Sequence, residues 1–134
     1  MEREMTKQFS PNDVIAALLT FLPRRFPNDP EKIHRTIRKL QQEEGYKDLL
    51  GDFEFLDYSR FPYSPLLGRI LNRLQESRLL SSLNPEYKMY VMEDVSREAI
   101  QSDLLGEGKK LYSQCSKLEQ IALELERALE NVEP

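Results

Sequence analysis

The residues best suited to chemistry in this chain are too few and too scattered to form a metal or catalytic site. Its single cysteine, Cys115, and its single histidine, His34, cannot supply the full ligand set of a structural zinc ion. Residues 106–110 (GEGKK) lack the first glycine and the hydroxyl residue after the lysine that a phosphate-binding loop needs. Adjacent acids such as Glu43 and Glu44 point in different directions on a helix. The sequence therefore predicts no enzyme, no metal and no cofactor.

The composition predicts a folded domain in a reducing compartment. Hydrophobic residues make up 40% of the 134 residues, and the 6 Phe and 6 Tyr argue against a disordered chain. A single cysteine allows no internal disulfide framework. Residues 1–8 lack the apolar run of a signal peptide, and no segment approaches the ~18 apolar residues that suggest a membrane span. We therefore expect a cytoplasmic protein that is not associated with a membrane.

Charge is distributed unevenly along the chain, although the net charge is only −4. Residues 1–92 carry 14 Lys and Arg against 13 Asp and Glu, whereas residues 93–134 carry 5 against 10. Residues 22–39 contain 6 basic side chains, Arg35 and Arg38 among them, and only 2 acidic ones. A local basic patch of this kind suits phosphate binding, because screening makes nearby charge matter most. A solvated helix face is the alternative explanation.

Three pairs of a capping residue and a proline predict where helices begin. Ser10-Pro11, Asp29-Pro30 and Ser64-Pro65 each place a side-chain hydrogen-bond acceptor before a proline at the first helical position. Apolar residues then recur at helical spacing after each pair, and the third helix is expected to end near residue 77 or 78. His34 falls in the second of these helices, where it is expected either to pack or to face solvent.

Short extended segments are predicted on both sides of the third helix. Residues 46–63 are expected to form one helical turn and then an aromatic strand or ordered loop. Residues 88–92 (KMYVM) alternate as in a half-buried strand, and Asn84-Pro85 before them favours a turn. Residues 79–92 therefore predict a β-hairpin.

The last helix, predicted from residue 109 to about 131, carries an apolar seam. Seam positions recur at spacings of 4, 3, 4, 3 and 4, as in a heptad repeat, and one further apolar residue widens the stripe. Alternation of leucine with small residues makes a marginal isolated coiled coil. We expect the helix to pack on the domain or in a composite dimer interface. The predicted dimerisation residues are Leu111, Cys115, Leu118, Ile121, Ala122, Leu125 and Leu129.

Residues 63–100 resemble the second half of a winged-helix DNA-binding domain. The likeness lies in the helix at 64–76 (SPLLGRILNRLQE) and in residues 77–80 (SRLL), where that family usually has a glycine near Arg78. A strand at 88–92, acidic residues and a new helix complete the pattern. The chain is also similar to the PadR-like transcriptional regulators, which add a C-terminal dimerisation helix to such a domain.

The resemblance implies a mainly α fold with a small β-hairpin. Residues 1–95 would form a winged-helix-like domain, and residues 96–134 a helical segment for dimerisation or packing. The implied function is that of a transcriptional regulator, a homodimer that binds duplex DNA.

In that function the helix at 65–77 would enter the major groove, and the wing would lie near phosphate. Arginine and asparagine suit guanine and adenine edges, because each can form paired hydrogen bonds there. Alternatively, these side chains are ordinary surface residues of a packing helix. The alternative function is a non-enzymatic adaptor that binds a protein partner, which the small number of cations near the wing favours. The residues implied in DNA binding are Arg69, Asn72, Arg73, Lys88, Arg35 and Arg38.

Overall fold

The computed structural model describes residues 9–57, 60–82 and 89–130. None of the helices in these ranges has the length and apolar character needed to cross a membrane. The predicted mainly α fold with a small hairpin and a C-terminal helix is confirmed. Its elements are α1 (Pro11–Leu19), β1 (Arg25–Pro27), α2 (Pro30–Gln41), α3 (Lys47–Leu50), α4 (Pro65–Glu76), β2 (Ser81–Ser82), β3 (Met89–Val91), α5 (Asp94–Leu104) and α6 (Cys115–Glu130).

The three capping signals begin α1, α2 and α4 where the sequence predicts. The side chains of Ser10, Asp29 and Ser64 each accept a hydrogen bond from the backbone N–H three residues later, at 3.5, 3.2 and 3.2 Å. Proline follows each cap, where its missing N–H costs no helical hydrogen bond. Local sequence alone is therefore sufficient to set the start of each of these helices.

A small antiparallel sheet with the strand order β1-β3-β2 joins the two halves of the chain. Strand β1, between α1 and α2, is not predicted from the sequence, because three residues are too few to show an alternating pattern. Its Phe26 lies opposite Tyr90 of β3, and the two buried rings have centroids 5.5 Å apart. The predicted turn at Asn84-Pro85 lies outside the described residues.

One hydrophobic core cluster contains residues from α1 to α6. Helix α6 packs mainly against α2, and it also contacts α1 and β1. The seam of α6 faces these elements, and its leucine, isoleucine and alanine side chains are at most 4% exposed. The seam therefore meets helices of its own chain.

The seam packs within its own chain, which is one of the two arrangements expected from the sequence. A side chain already covered within one chain has no apolar area left to bury against a second copy. Periodicity alone does not distinguish these cases, because heptad spacing suits a partner helix from either source. Cys115 is half-buried, and its thiol contacts the Leu105 carbonyl at 3.9 Å. The residues that belong to the intrachain packing are Leu111, Cys115, Leu118, Ile121, Ala122, Leu125 and Leu129.

A tight connection precedes α6, which begins at Cys115 and not at the predicted residue 109. Gly108 has a φ of +82°, a left-handed conformation that glycine adopts without steric cost. The N–H of Leu111 donates to the Leu104 carbonyl at 2.9 Å, and a 3₁₀ turn at Tyr112–Gln114 follows. These contacts seat Leu111 in the core, with no exposed area.

Candidate nucleic-acid interface

The start of α4 is held by a buried contact with α2. The Ser64 N–H donates to His34 Nδ1 at 3.0 Å, and Ser64 Oγ accepts from the Leu67 N–H at 3.2 Å. His34 is 1% exposed and is therefore a packing histidine, one of the two predicted alternatives. Because Nδ1 accepts, the neutral ring carries its proton on Nε2. Burial lowers the pKa of His34 to about 4, so this contact is maintained at neutral pH.

Aromatic side chains enclose the imidazole. Tyr63 stacks on His34 with ring centroids 4.6 Å apart and planes 16° apart, and Phe55 and Phe61 lie at 6.3 and 5.9 Å. Tyr63 also exchanges two backbone hydrogen bonds with Leu56, at 2.8 and 3.0 Å. Leu56 and Tyr63 thus form an antiparallel bridge, which holds the residues directly before α4 in place.

The two faces of α4 have opposite character. All four apolar residues predicted to face the core at 67, 70, 71 and 74 are buried. Positions 69, 72, 73 and 76 are separated by three or four residues, so they share the other face, and all are exposed. Three of the predicted DNA-binding residues therefore lie together on one solvent-facing surface. This surface, the exposed face of α4, consists of Arg69, Asn72, Arg73 and Glu76.

The two residues of α2 that were predicted to bind DNA both form ion pairs with acidic side chains. Arg35 lies 2.9 Å from Glu31 one turn earlier, and Arg38 lies 2.9 Å from Asp57 in the loop before α4. Exposed ion pairs of this kind add little stability, but each one balances a positive charge. The basic patch predicted from residue counts is therefore weaker in the folded protein than its sequence suggests.

The two arginines of α4 differ from those of α2 in their ion pairing. Neither Arg69 nor Arg73 forms an ion pair with any residue in the described ranges. Arg69 lies at a groove of about 400 Å³ that Asp52 and Glu54 also line, and their carboxylates oppose phosphate binding there. Arg73 lies one turn before Glu76 on the same exposed face, so each arginine of α4 has a carboxylate in its neighbourhood.

The C-terminal end of α4 adds a cation that the sequence reasoning missed. The N–H groups of Arg78 and Leu79 donate to the carbonyls of Gln75 and Leu74, both at 3.0 Å, in the pattern of a Schellman motif. Arg78 has a φ of +68°, in the left-handed region usually taken by glycine, and its side chain is exposed. The available signal was an arginine directly after the predicted end of the helix.

Replacing Arg78 with glycine is expected to raise the free energy of unfolding by about 1 kcal/mol. A residue with a Cβ atom is strained in the left-handed conformation by roughly 1–2 kcal/mol, and glycine is not, although glycine loses more entropy on folding. Urea denaturation measures the change. Arg78→Ala is the matched control, because it removes the same charge and keeps the strain, and it should stay within about 0.5 kcal/mol of the parent. Equal stabilities for the two variants would contradict the assigned strain.

Lys88 cannot be placed relative to this surface, because it lies with residues 83–88 outside the described ranges. In the portions of the chain that the structure describes, no group of three or more His, Cys, Asp or Glu could hold a metal ion. The features that remain for a functional assignment are the exposed face of α4 and the end of that helix at Arg78.

Comparisons with known proteins add no assignment to this geometry. No family model, no curated protein and no solved structure matches the chain.

Proposed function

We propose that this protein is a winged-helix regulator that binds duplex DNA through the exposed face of α4. The observation that carries the proposal is the row of Arg69, Asn72 and Arg73 on one exposed helix surface, with no ion pair to a described residue. A helix fits the width of the major groove. Arginine there binds guanine O6 and N7, and asparagine binds adenine N6 and N7, in each case through two hydrogen bonds.

The order of the elements supports the proposal. A strand between the first two helices pairs with the second strand of a hairpin that follows α4, which gives the sheet order β1-β3-β2. In winged-helix domains this arrangement places a recognition helix directly before the wing. The connection from α2 to α4 is longer than the short turn of a simple helix-turn-helix, and it contains α3. The contact between His34 and Ser64 takes over the role of that turn in orienting α4.

The distribution of charge along the chain is compatible with DNA binding by α4. Phosphate contacts by Lys and Arg supply most of the affinity of non-specific DNA binding and make it depend on salt. The acidic excess of the chain lies in residues 93–134, whereas residues 1–92 are close to neutral. If the regulator is a homodimer, its interface uses residues other than the buried seam, and two copies of α4 would lie ~34 Å apart on a palindromic site.

The proposal is tested by measuring, through fluorescence anisotropy at 50 mM salt, how tightly the protein binds a pool of random-sequence duplexes. The parent protein is expected to bind with an affinity that falls as salt rises, by ~0.9 in log–log slope for each phosphate contact. The double variant Arg69→Ala/Arg73→Ala should weaken binding at least tenfold. Selection from the pool should then enrich a motif that Asn72→Ala relaxes at one base position.

The matched control is the double variant Lys109→Ala/Lys110→Ala, which removes the same charge from an exposed segment before α6. It should bind DNA within about twofold of the parent. Equal weakening by the two double variants would show that only the net charge matters, and the proposal would then fail. Absence of binding to duplex at 50 mM salt would also overturn it.

A further inference from the structure

A second exposed surface lies along the outer side of α6, the side opposite the buried seam. It is a groove of about 370 Å³ between α6 and Phe21, the half-buried residue that follows α1. Leu123 projects from α6 at 46% exposure, although the seam on the other side of the same helix is buried. The groove lining consists of Phe21, Ser116, Glu119, Gln120, Leu123 and Glu126.

Among the described residues, the charged side chains that line this groove are both acidic. They are Glu119 and Glu126, and neither forms an ion pair with a described residue. Glu130 lies one turn beyond Glu126 on α6. Partial burial raises the pKa of Glu126, and the neighbouring Glu130 carboxyl group adds to this effect. A cation placed between these carboxylates would relieve their repulsion.

We propose that this groove binds a basic amphipathic helix of another protein. An apolar side chain of that helix would fit against Phe21 and Leu123, and Lys or Arg on either side would pair with Glu119 and Glu126. The lining residues of α6 extend from position 116 to position 126, a length of about 15 Å, enough for nearly three turns of a partner helix. This groove shares no residue with the exposed face of α4.

A second copy of the chain fits this groove less well than a basic partner. A two-fold dimer pairs a patch with itself, and each copy would bring two more carboxylates and a single exposed leucine to the same groove. The apolar area available would also be far below that of an obligate dimer interface, which is large and hydrophobic. Charge complementarity therefore favours a partner rich in Lys and Arg.

Titration of the full chain with a synthetic helix tests the proposal. The probe is a 16-residue peptide with Leu at helical positions i, i+3, i+4 and i+7 and Lys or Arg elsewhere, and NMR chemical shifts report where it binds. We expect binding in the micromolar range, with shifts centred on Glu119, Leu123 and Glu126. Glu119→Gln/Glu126→Gln and Leu123→Ser should each weaken binding at least tenfold. Both variants change exposed or half-buried residues, so circular dichroism should show an intact fold.

Two matched controls separate specific docking from charge attraction. Glu98→Gln/Glu107→Gln removes two exposed carboxylates elsewhere and should leave affinity within about twofold. A peptide of the same composition with its leucines scattered around the helix should bind at least tenfold more weakly. Absence of binding, equal binding of the scattered peptide, or equal effects of the two double variants would overturn the proposal. A light-scattering mass of twice 15.8 kDa that reverts to one chain in Leu123→Ser would overturn it in favour of a second copy.

Discussion

Leu118→Ala is expected to lower the free energy of unfolding by about 3 kcal/mol, within the 2–5 kcal/mol typical of a leucine removed from a core. The side chain has no exposed area and lies in the core cluster shared by α1, α2 and α6. Truncation to alanine removes its transfer free energy and leaves a cavity that the packed helices cannot fully close. Urea denaturation of the parent and the variant measures the loss.

Leu123→Ala is the matched control, because it makes the same substitution on the same helix at a side chain that is 46% exposed. It should change stability by no more than about 0.5–1 kcal/mol. Unfolding midpoints of parent and variant should also be independent of protein concentration, since the seam is satisfied within one chain. A midpoint that rises with concentration, together with dissociation of Leu118→Ala, would return the seam to a dimer interface.

The second large effect is a loss of stability between pH 7 and pH 5 caused by His34. In the unfolded chain the imidazole titrates near its model value of 6.5, whereas burial lowers the pKa in the folded protein to about 4. Between these values the unfolded chain binds a proton and the folded protein does not, so stability falls as pH falls. The expected loss is about 2 kcal/mol from pH 7 to pH 5, and it approaches about 3 kcal/mol below pH 4.

The hydrogen bond between Ser64 and His34 also predicts that protonation of His34 lowers stability. A proton on Nδ1 would face the Ser64 N–H that now donates to it at 3.0 Å, so protonation replaces an attraction with a repulsion. The ring is otherwise surrounded by Phe55, Phe61 and Tyr63, whose side chains offer no compensating negative charge. Acidification is therefore expected to release the start of α4 before it affects the other capped helices.

The single histidine makes this prediction direct to measure. Its NMR signals should titrate near pH 4 in the folded protein, and urea unfolding at pH 7 and pH 5 gives the stability difference. His34→Asn keeps a hydrogen-bond acceptor without a titrating ring. This variant should lose most of the difference between pH 7 and pH 5, although it is less stable at pH 7 because the stack on Tyr63 is gone. A His34 pKa near 6.5 would refute the account.

Local rules written in the sequence determined much of this fold. The caps at Ser10, Asp29 and Ser64 set the first residue of three helices, because an N-cap and a following proline act through their immediate neighbours. Helical periodicity likewise separated the buried and exposed faces of α4, which gave Arg69 and Arg73 their position on the candidate DNA surface. These features need no information from distant parts of the chain.

Only the tertiary structure decided which surfaces meet. The seam of α6 has a spacing that suits a helix of a second chain equally well, and the fold covers it with α1 and α2. Strand β1 exists because β3 pairs with it, and Arg38 is balanced because the fold brings Asp57 to it. Long-range pairing of this kind depends on chain geometry that spacing does not encode. Sequence therefore determined the starts of three helices and the two faces of α4, and the tertiary contacts decided that the exposed face of α4 and the outer side of α6 remain uncovered by described residues.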